Sequence, residues 1–460
     1  MEHQAAKLIG FGLILFLAGS CAMAPRPLLA PSDEAFFHEQ ARRIVDSAAL
    51  APGQSSGPWR NTTSFKMHVP GGNMGYPAYW VRDSVMMLGG DFITSAELEG
   101  WIRMICRTLV GPGDRQVRPG VVVPAYAVPD HINLDGTPTF YPGYYESEDK
   151  QGGAPWGKYP PLDDHFYFVA AVYEHWRMTG STRLFDSMVK TSFNEMKLSA
   201  LCEKVFVVAP VDPETGLVVA GDIETENAKD WGFCDNEFKS GRLLFPSLLK
   251  YEAAIELAAM FEASGDPARA RRYRQDAAGL QHSIPAQFFH AAQNPDEGWL
   301  HSATGIGNQP DVWGSAFAVW SGAVRGGTAR KVARALVRAF RDGTAVSRGC
   351  VRQILTTDPL NHGAWEKSFA PAGEYQNGGY WGTATGWYIA ALATVDRPAA
   401  ADMARDYIAF LKRNMRPDGM TQSWEWCSAD GAKNANPLYV ATVALPYVCM
   451  KRAGLLGQLR

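Results

Sequence analysis

The 460-residue sequence has no CxxC pair and no Cys/His cluster at metal-ligand spacing, which excludes a zinc-finger or iron–sulfur framework. It has no Lys/Arg stripe, and its formal net charge is -3, so it presents no electrostatic footprint for nucleic acid. No sequence period repeats, which argues against an open helical solenoid. The apolar run Leu8 to Leu17 is too short to cross a bilayer as a stable helix. Global disorder is excluded by 46% apolar against 20% charged residues.

That apolar run follows Lys7 and precedes Ala22-Met23-Ala24, the pattern of a signal peptide with its cleavage site. Leu17-Ala18-Gly19-Ser20-Cys21 also resembles a lipoprotein cleavage box, although the leucine stands one position too far from the cysteine. The expectation is a signal segment over 1–24, one domain over 25–460, and export to the periplasm or beyond, with a lipid anchor at Cys21 as the variant. The other six cysteines, Cys106, Cys202, Cys234, Cys350, Cys427 and Cys449, fit either disulfides or buried thiols.

Helical periodicity dominates the mature chain. Helices are expected over 33–50, 84–94, 95–110, 165–179, 182–199, 241–264, 266–283, 312–324, 327–341, 381–395, 398–415 and 438–455. Tight connectors such as Thr179-Gly180-Ser181, Ser264-Gly265-Asp266, Gly326-Gly327-Thr328 and Asp396-Arg397-Pro398 join neighbours. Between the pairs lie long segments rich in Gly, Pro, Asn and aromatics: 51–82, 111–164, 200–240, 284–311, 342–380 and 416–437. If the tight turns lie at one end of a closed barrel of six hairpins, the long loops converge at the other end and wall a pocket. The expected fold is therefore all-α, an (α/α)6 toroid with short β-hairpins in the mouth, one of them formed by Val205–Val211 and Thr215–Ala220.

Each long loop delivers an acidic residue near the next helix: Asp83, Asp164, the Asp230/Asp235/Glu237 group, Asp311, Glu374 and Glu425. An aspartate before a helix can simply cap it, and Asp83, Asp164 and Asp311 are open to that reading. Caps need no aromatic neighbours, yet Trp80, Trp231, Tyr375, Trp381, Trp424 and Trp426 accompany these acids, and Trp156 lies in the second loop. Carboxylates that fork hydroxyls beside stacking rings suit a sugar. Cleaving a glycosidic bond takes two carboxyl groups, one protonated acid and one base or nucleophile.

In these segments the sequence resembles the six-hairpin glycosidases of the glucoamylase and trehalase types. Tyr79–Ser84 looks like their aromatic-x-Arg-Asp-Ser segment, which implies that Arg82 and Asp83 grip the terminal sugar. Pro161–Asp164 is similar to the glucoamylase loop whose aspartate opens an inner helix, so Asp164 would bind another hydroxyl. Ala228–Gly241 stands where these families keep the general acid, and Gly373–Trp387 resembles a trehalase Gly-Glu-Tyr run. Glu425, Gly431 and Asn436-Pro437-Leu438-Tyr439 are similar to the late glucoamylase segment that supplies the base. The resemblance implies an exo-acting, inverting hydrolase of an oligo- or polysaccharide that needs no metal or organic cofactor. Asp235 stands first as acid with Asp230 next; Glu425 stands first as base with Glu374 next. Trp80, Trp231, Tyr375, Trp381 and Trp424 are the expected sugar-contacting rings.

Two rival readings stay open. A polysaccharide lyase, or a hydrolase of unsaturated uronyl sugars, could draw on His131, His165, His301 or His362 with Arg82, Arg348 or Arg352. A glycan-binding protein could keep the barrel without turnover.

Overall fold

The computed structural model describes residues 27–72, 76–141, 160–220, 235–356 and 363–457. The signal segment, Cys21, Asp230, Trp231, Cys234, Trp156 and His362 lie outside the described residues.

Helices alternate between two rings. The outer ring holds α1 (Pro31–Ala48), α3 (Ser95–Thr108), α6 (Leu198–Phe206), α8 (Pro267–Phe288), α10 (Gly326–Arg341) and α12 (Arg397–Arg413). The inner ring holds α2 (Val81–Met86), α4 (Asp164–Thr179), α7 (Leu244–Ala263), α9 (Val312–Ser321), α11 (Thr385–Ala393) and α13 (Val440–Arg452). A four-residue α5 (Arg183–Asp186) completes the helices among the described residues. Each inner helix packs on the next, α2 on α4, α4 on α7, α7 on α9, α9 on α11, α11 on α13, and α13 returns to α2. The ring is closed, as expected of an (α/α)6 toroid.

Sequence character sorts the two rings. Thr385–Leu392 of α11 and Val440–Met450 of α13 are buried, and a helix apolar on nearly every side must be enclosed; all six residues of α2 are buried as well, with Arg82, Asp83 and Ser84 among them. The outer α10 instead buries one stripe, Val332, Ala333, Ala335, Leu336, Val337 and Ala339, and turns its arginines outward. Close contact inside the ring needs small residues. A Cβ at Gly386 of α11 would sit 2.6 Å from Cα of Pro446 and 2.7 Å from Cβ of Cys449 on α13.

The structure corrects several boundaries. The helix expected over 182–199 is instead α5, a hairpin pairing Met188–Lys190 with Glu195–Lys197, and then α6. Thr191 closes that turn: its backbone N–H donates to the Asn194 carbonyl at 2.7 Å, and the Thr191 hydroxyl makes a bond of the same length. Side-chain bonding of this kind competes with the helix ladder. Val205 and Phe206 consequently belong to α6, and the expected hairpin shrinks to the single bridge Val211–Val218. Helix α2 starts earlier and stops sooner than 84–94, because Gly89 (φ 97°) and Gly90 follow it. Cys106, Cys202, Cys350, Cys427 and Cys449 are buried free thiols.

Every inner helix begins where a long segment ends. The short connections therefore lie at the opposite end of the barrel, and the long loops gather around the N-termini of α2, α4, α7, α9, α11 and α13.

Candidate active site

The fifth long loop, 342–384, is the frame of the mouth. Its strand residues Tyr380 and Trp381 bridge Cys427 on one side and Val351 on the other. Cys427 belongs to a hairpin in which Trp426–Cys427 pairs with Asn434–Ala435. Glu425 stands at the open end of that hairpin, its N–H donating to the carbonyls of Ala435 and Asn436, both at 3.1 Å. The third loop is stitched to the same frame. The backbone N–H groups of Asp235 and Asn236 donate to Oε1 of Gln376 at 2.9 and 3.2 Å, and Phe369 N–H donates to the Asn236 carbonyl at 3.1 Å. Two carboxyl groups far apart in sequence are thus located by one scaffold.

Glu425 is only 2% exposed. The Tyr76 hydroxyl donates to its Oε1 at 2.9 Å, and the Asn436 amide donates to its Oε2 and, at 2.9 Å, to the Tyr76 oxygen. Burial raises its pKa to about 8; the Asn436 and Tyr76 bonds pull it down, while the charges of Asp83 and Asp235 push it up. Those influences put Asp83 and Asp235 near Glu425. The Tyr375 hydroxyl lies 3.5 Å from Oδ2 of Asp235, and its pKa is raised by burial and then by Asp235, Glu425, Tyr76 and Asp83. Tyr375 therefore faces all three carboxyl groups.

Aromatic rings surround these groups. Tyr76 meets Trp80 edge to face at 4.9 Å and Tyr439 at 6.2 Å; Tyr375 lies 5.1 Å from Trp381 and 6.5 Å from Trp426. Trp381 is buried behind Tyr375, its indole N–H donating to the Tyr375 carbonyl at 3.1 Å. Trp424 is half-buried and packs on the core. The backbone here is strained: Tyr375, Ser423, Asn436 and Leu438 have φ of 47°, 35°, 45° and 61°. Left-handed conformations at non-glycine residues are uncommon and cluster at functional sites. Gly379 permits the close wall, since a Cβ there would lie 2.5 Å from the Tyr375 carbonyl and 2.9 Å from the Trp426 ring.

A second polar layer lies below. Arg82 is 8% exposed and grips Asp163 with two bonds, Nε to Oδ2 at 2.5 Å and Nη2 to Oδ1 at 3.0 Å. Oδ1 of Asp130 and Oδ2 of Asp164 each stand 3.8 Å from Arg82 Nη2. Burial works against the Arg82 charge, but Asp163 and Asp164 outweigh it and raise its pKa. Asp164 is raised well above the carboxylate range, by burial first and by Asp163 next. Asp83, one residue on, accepts from the Tyr439 hydroxyl and is pushed up to about 6 by burial, against the pull of Tyr439 and Arg82.

The capping alternative separates the acids cleanly. Asp311 is a cap, its Oδ1 accepting from Gly314 N–H at 2.8 Å. Asp83 and Asp164 lie within α2 and α4 and make no capping bond. Glu374 is drawn aside into an ion pair with Lys433. Glu237 is buried, its Oε1 accepting from the Ser368 hydroxyl at 2.9 Å. The described histidines and arginines offered for a lyase have partners of their own. His131 lies against Oδ2 of Asp130 at 2.8 Å under the Trp80 ring, and burial lowers His165 to about 3. His301 pairs with Asn308 at 2.7 Å. Arg352 donates to the carbonyls of Gly378 and Gly363, and Arg348 to that of Ser428.

Sequence reasoning assigned no role to Tyr76, Gln376, Asn436 or Tyr439, nor to Asp163 or Asp130 as partners of Arg82. Asn436 and Tyr439 do fall in the late segment that drew attention to Glu425. Gln376 lies in the segment that drew attention to Glu374, but nothing local marked Tyr76, whose partners lie across the mouth.

No family model and no curated protein matches the sequence. Solved structures do. A wild-type glycosidase is similar at TM-score 0.54 and 12% identity, covering 93% of this chain and 100% of its own. The glucoamylase of Saccharomycopsis fibuligera is similar at TM-score 0.54 and 12% identity, covering 92% and 96%. A mannosylglycerate hydrolase from Thermus thermophilus, solved with glucose, is similar at TM-score 0.52 and 13% identity, covering 90% and 99%. At such identities the likeness is one of architecture, and the chain has the fold of the six-hairpin glycosidases.

Proposed function

We propose that the protein is a glycoside hydrolase whose Asp235 and Glu425 form the working carboxyl pair. The observation that carries this reading is their shared neighbourhood: the Tyr375 hydroxyl stands 3.5 Å from Asp235, and Asp83 and Asp235 both act on Glu425 among a wall of aromatic rings. Asp83, with Arg82 holding the layer beneath it, would orient the terminal sugar, while Trp80, Tyr375 and Trp424 offer ring faces. The fold shared with glycosidases, one of them solved with glucose as a variant enzyme, supports a carbohydrate substrate. A pocket walled by six loops suits exo action on a chain end. An inverting route needs room for water between acid and base.

In this reading Glu425 is the base and Asp235 the acid. Both oxygens of Glu425 accept hydrogen bonds, which is the environment of a carboxylate that aims a water. One observation favours the opposite order: with its pKa at about 8, Glu425 holds a proton at neutral pH, as a general acid must. Substrates with activated leaving groups separate the two. Loss of the acid is then largely masked, whereas loss of the base is not. If Asp235→Asn recovers turnover on an aryl glycoside and Glu425→Gln does not, the first order stands; the converse reverses it. The anomeric form of the released sugar tests inversion, and sugar release by neither wild type nor variants would leave only a binding protein.

The signal-like residues 1–24 support export, with a lipid anchor at Cys21 as the variant. N-terminal sequencing of the mature protein and labelling with a radioactive fatty acid test both.

A further inference from the structure

A cavity runs up the barrel axis from the tight-turn end, away from Asp235 and Glu425. Its cavity volume is about 80 Å3, and it is partly open to solvent. Tyr173 of α4, Phe317 and Trp320 of α9, and Trp387 of α11 wall it with aromatic rings. Phe317 stands at the centre of that wall, 5.8 Å from Trp320 and 4.8 Å from Trp387 between ring centroids.

Carboxyl groups and the Arg452 guanidinium supply the charged part of the lining. Glu174 is already satisfied, accepting from Arg177 at 2.7 and 2.8 Å and from Arg452 at 3.1 Å. Glu252 and Glu256 are not so provided. They stand one turn apart on α7, on the face that lines the cavity. Oε2 of Glu256 has less than 1 Å2 exposed and no hydrogen-bond partner. A buried acceptor without a donor is costly, and a cation in the cavity lessens that cost, a primary ammonium by N–H donation and a quaternary one by charge alone. Among the described residues no three His, Cys, Asp or Glu groups converge to hold a metal ion. The walls are π faces, which attract cations and also accommodate alkyl groups.

We infer that this cavity binds a small organic ammonium ion, its head between Glu252 and Glu256 and its carbon substituents against Trp320 and Trp387. Burial raises Glu252 to about 7 and Glu256 well above the ordinary carboxylate value, with Glu252 and Glu174 pushing Glu256 up and Arg452 pulling it down. A cation in contact offsets that burial.

The test is calorimetric titration of the full chain with choline and with butylammonium at matched ionic strength, against 3,3-dimethylbutanol as the neutral counterpart of choline. Saturable binding of the ammonium probes, about tenfold tighter than the alcohol, is expected. Glu256→Gln should weaken choline about tenfold, and Trp320→Leu should weaken choline more than butylammonium. Glu425→Gln, at the other end of the barrel, should leave the titration unchanged. Equal binding of the alcohol, competition by sodium ion at equal concentration, loss of binding in Glu425→Gln, or no binding at all would each overturn the inference. If Glu256→Gln does not fold, Glu252→Gln carries the same test.

Discussion

At the mouth Glu425 is met by donors from Tyr76 and Asn436, and Asp83 by the hydroxyl of Tyr439; at the tight-turn end Glu256 turns a shielded oxygen toward no donor. Both ends bury acids, and both raise their pKa values. They differ in what holds the acid. Glu425 is fixed by loops whose backbone is strained at Tyr375, Ser423, Asn436 and Leu438, and strain persists only where surrounding contacts over-determine it. Glu252 and Glu256 ride on a regular helix, where rigidity comes without strain. A group that must be aimed at one reacting atom needs the first arrangement. A group that only offers charge to a diffusible ligand can use the second.

The contrast can be broken at its strongest point first. Asp235→Asn and Glu425→Gln should each lower kcat/KM by about 10³-fold while circular dichroism stays native; if both keep wild-type sugar release, the assignment of the mouth falls. Next, Tyr76→Phe and Asn436→Ala each remove a donor to Glu425 and so raise its pKa further. If Glu425 is the base, kcat/KM climbs with pH toward about 8 in the wild type, and the climb moves to higher pH in these variants. A profile that falls through the same range marks it as the acid instead.

Stability should answer to the far end. The folded pKa of Glu252, about 7, exceeds its ordinary 4.5, so the folded chain keeps a proton that the unfolded chain has released. Stability is then greatest below the ordinary value and falls as pH rises through that window. A drop in Tm of roughly 2–4 °C between about pH 5 and pH 8, reduced in Glu252→Gln, is expected from scanning calorimetry. Gly386→Ala should cost about 1–3 kcal/mol by forcing α11 from α13, read by urea unfolding. The smallest effect belongs to Lys433→Ala: its pair with Glu374 is largely solvated, and such pairs contribute about 0.5 kcal/mol.

Much of the fold was legible because helix periodicity and connector length are local properties. The alternation of tight turns such as Ser264-Gly265-Asp266 with long aromatic loops foretold two rings and one mouth. The error over 182–199 has a local cause too: the apolar spacing around Phe185 and Leu198 is helical, but Thr191 and Asn194 close a turn that periodicity does not register. At the site, Asp83 and Glu425 were legible from their aromatic neighbours. Glu374 carried a similar signature and was drawn instead to Lys433, a partner that loop composition gives no means of foreseeing.

The sequence by itself determined that helices would pair and that acids would stand near the starts of the inner ones. Each of these depends on residues within a few positions of one another. Only the tertiary structure decided that Gln376 holds the backbone at Asp235, that Tyr76 and Asn436 hold Glu425, and that Arg82 turns to Asp163. Those contacts join segments that meet only when the ring of inner helices closes, so no shorter stretch of chain contains the information.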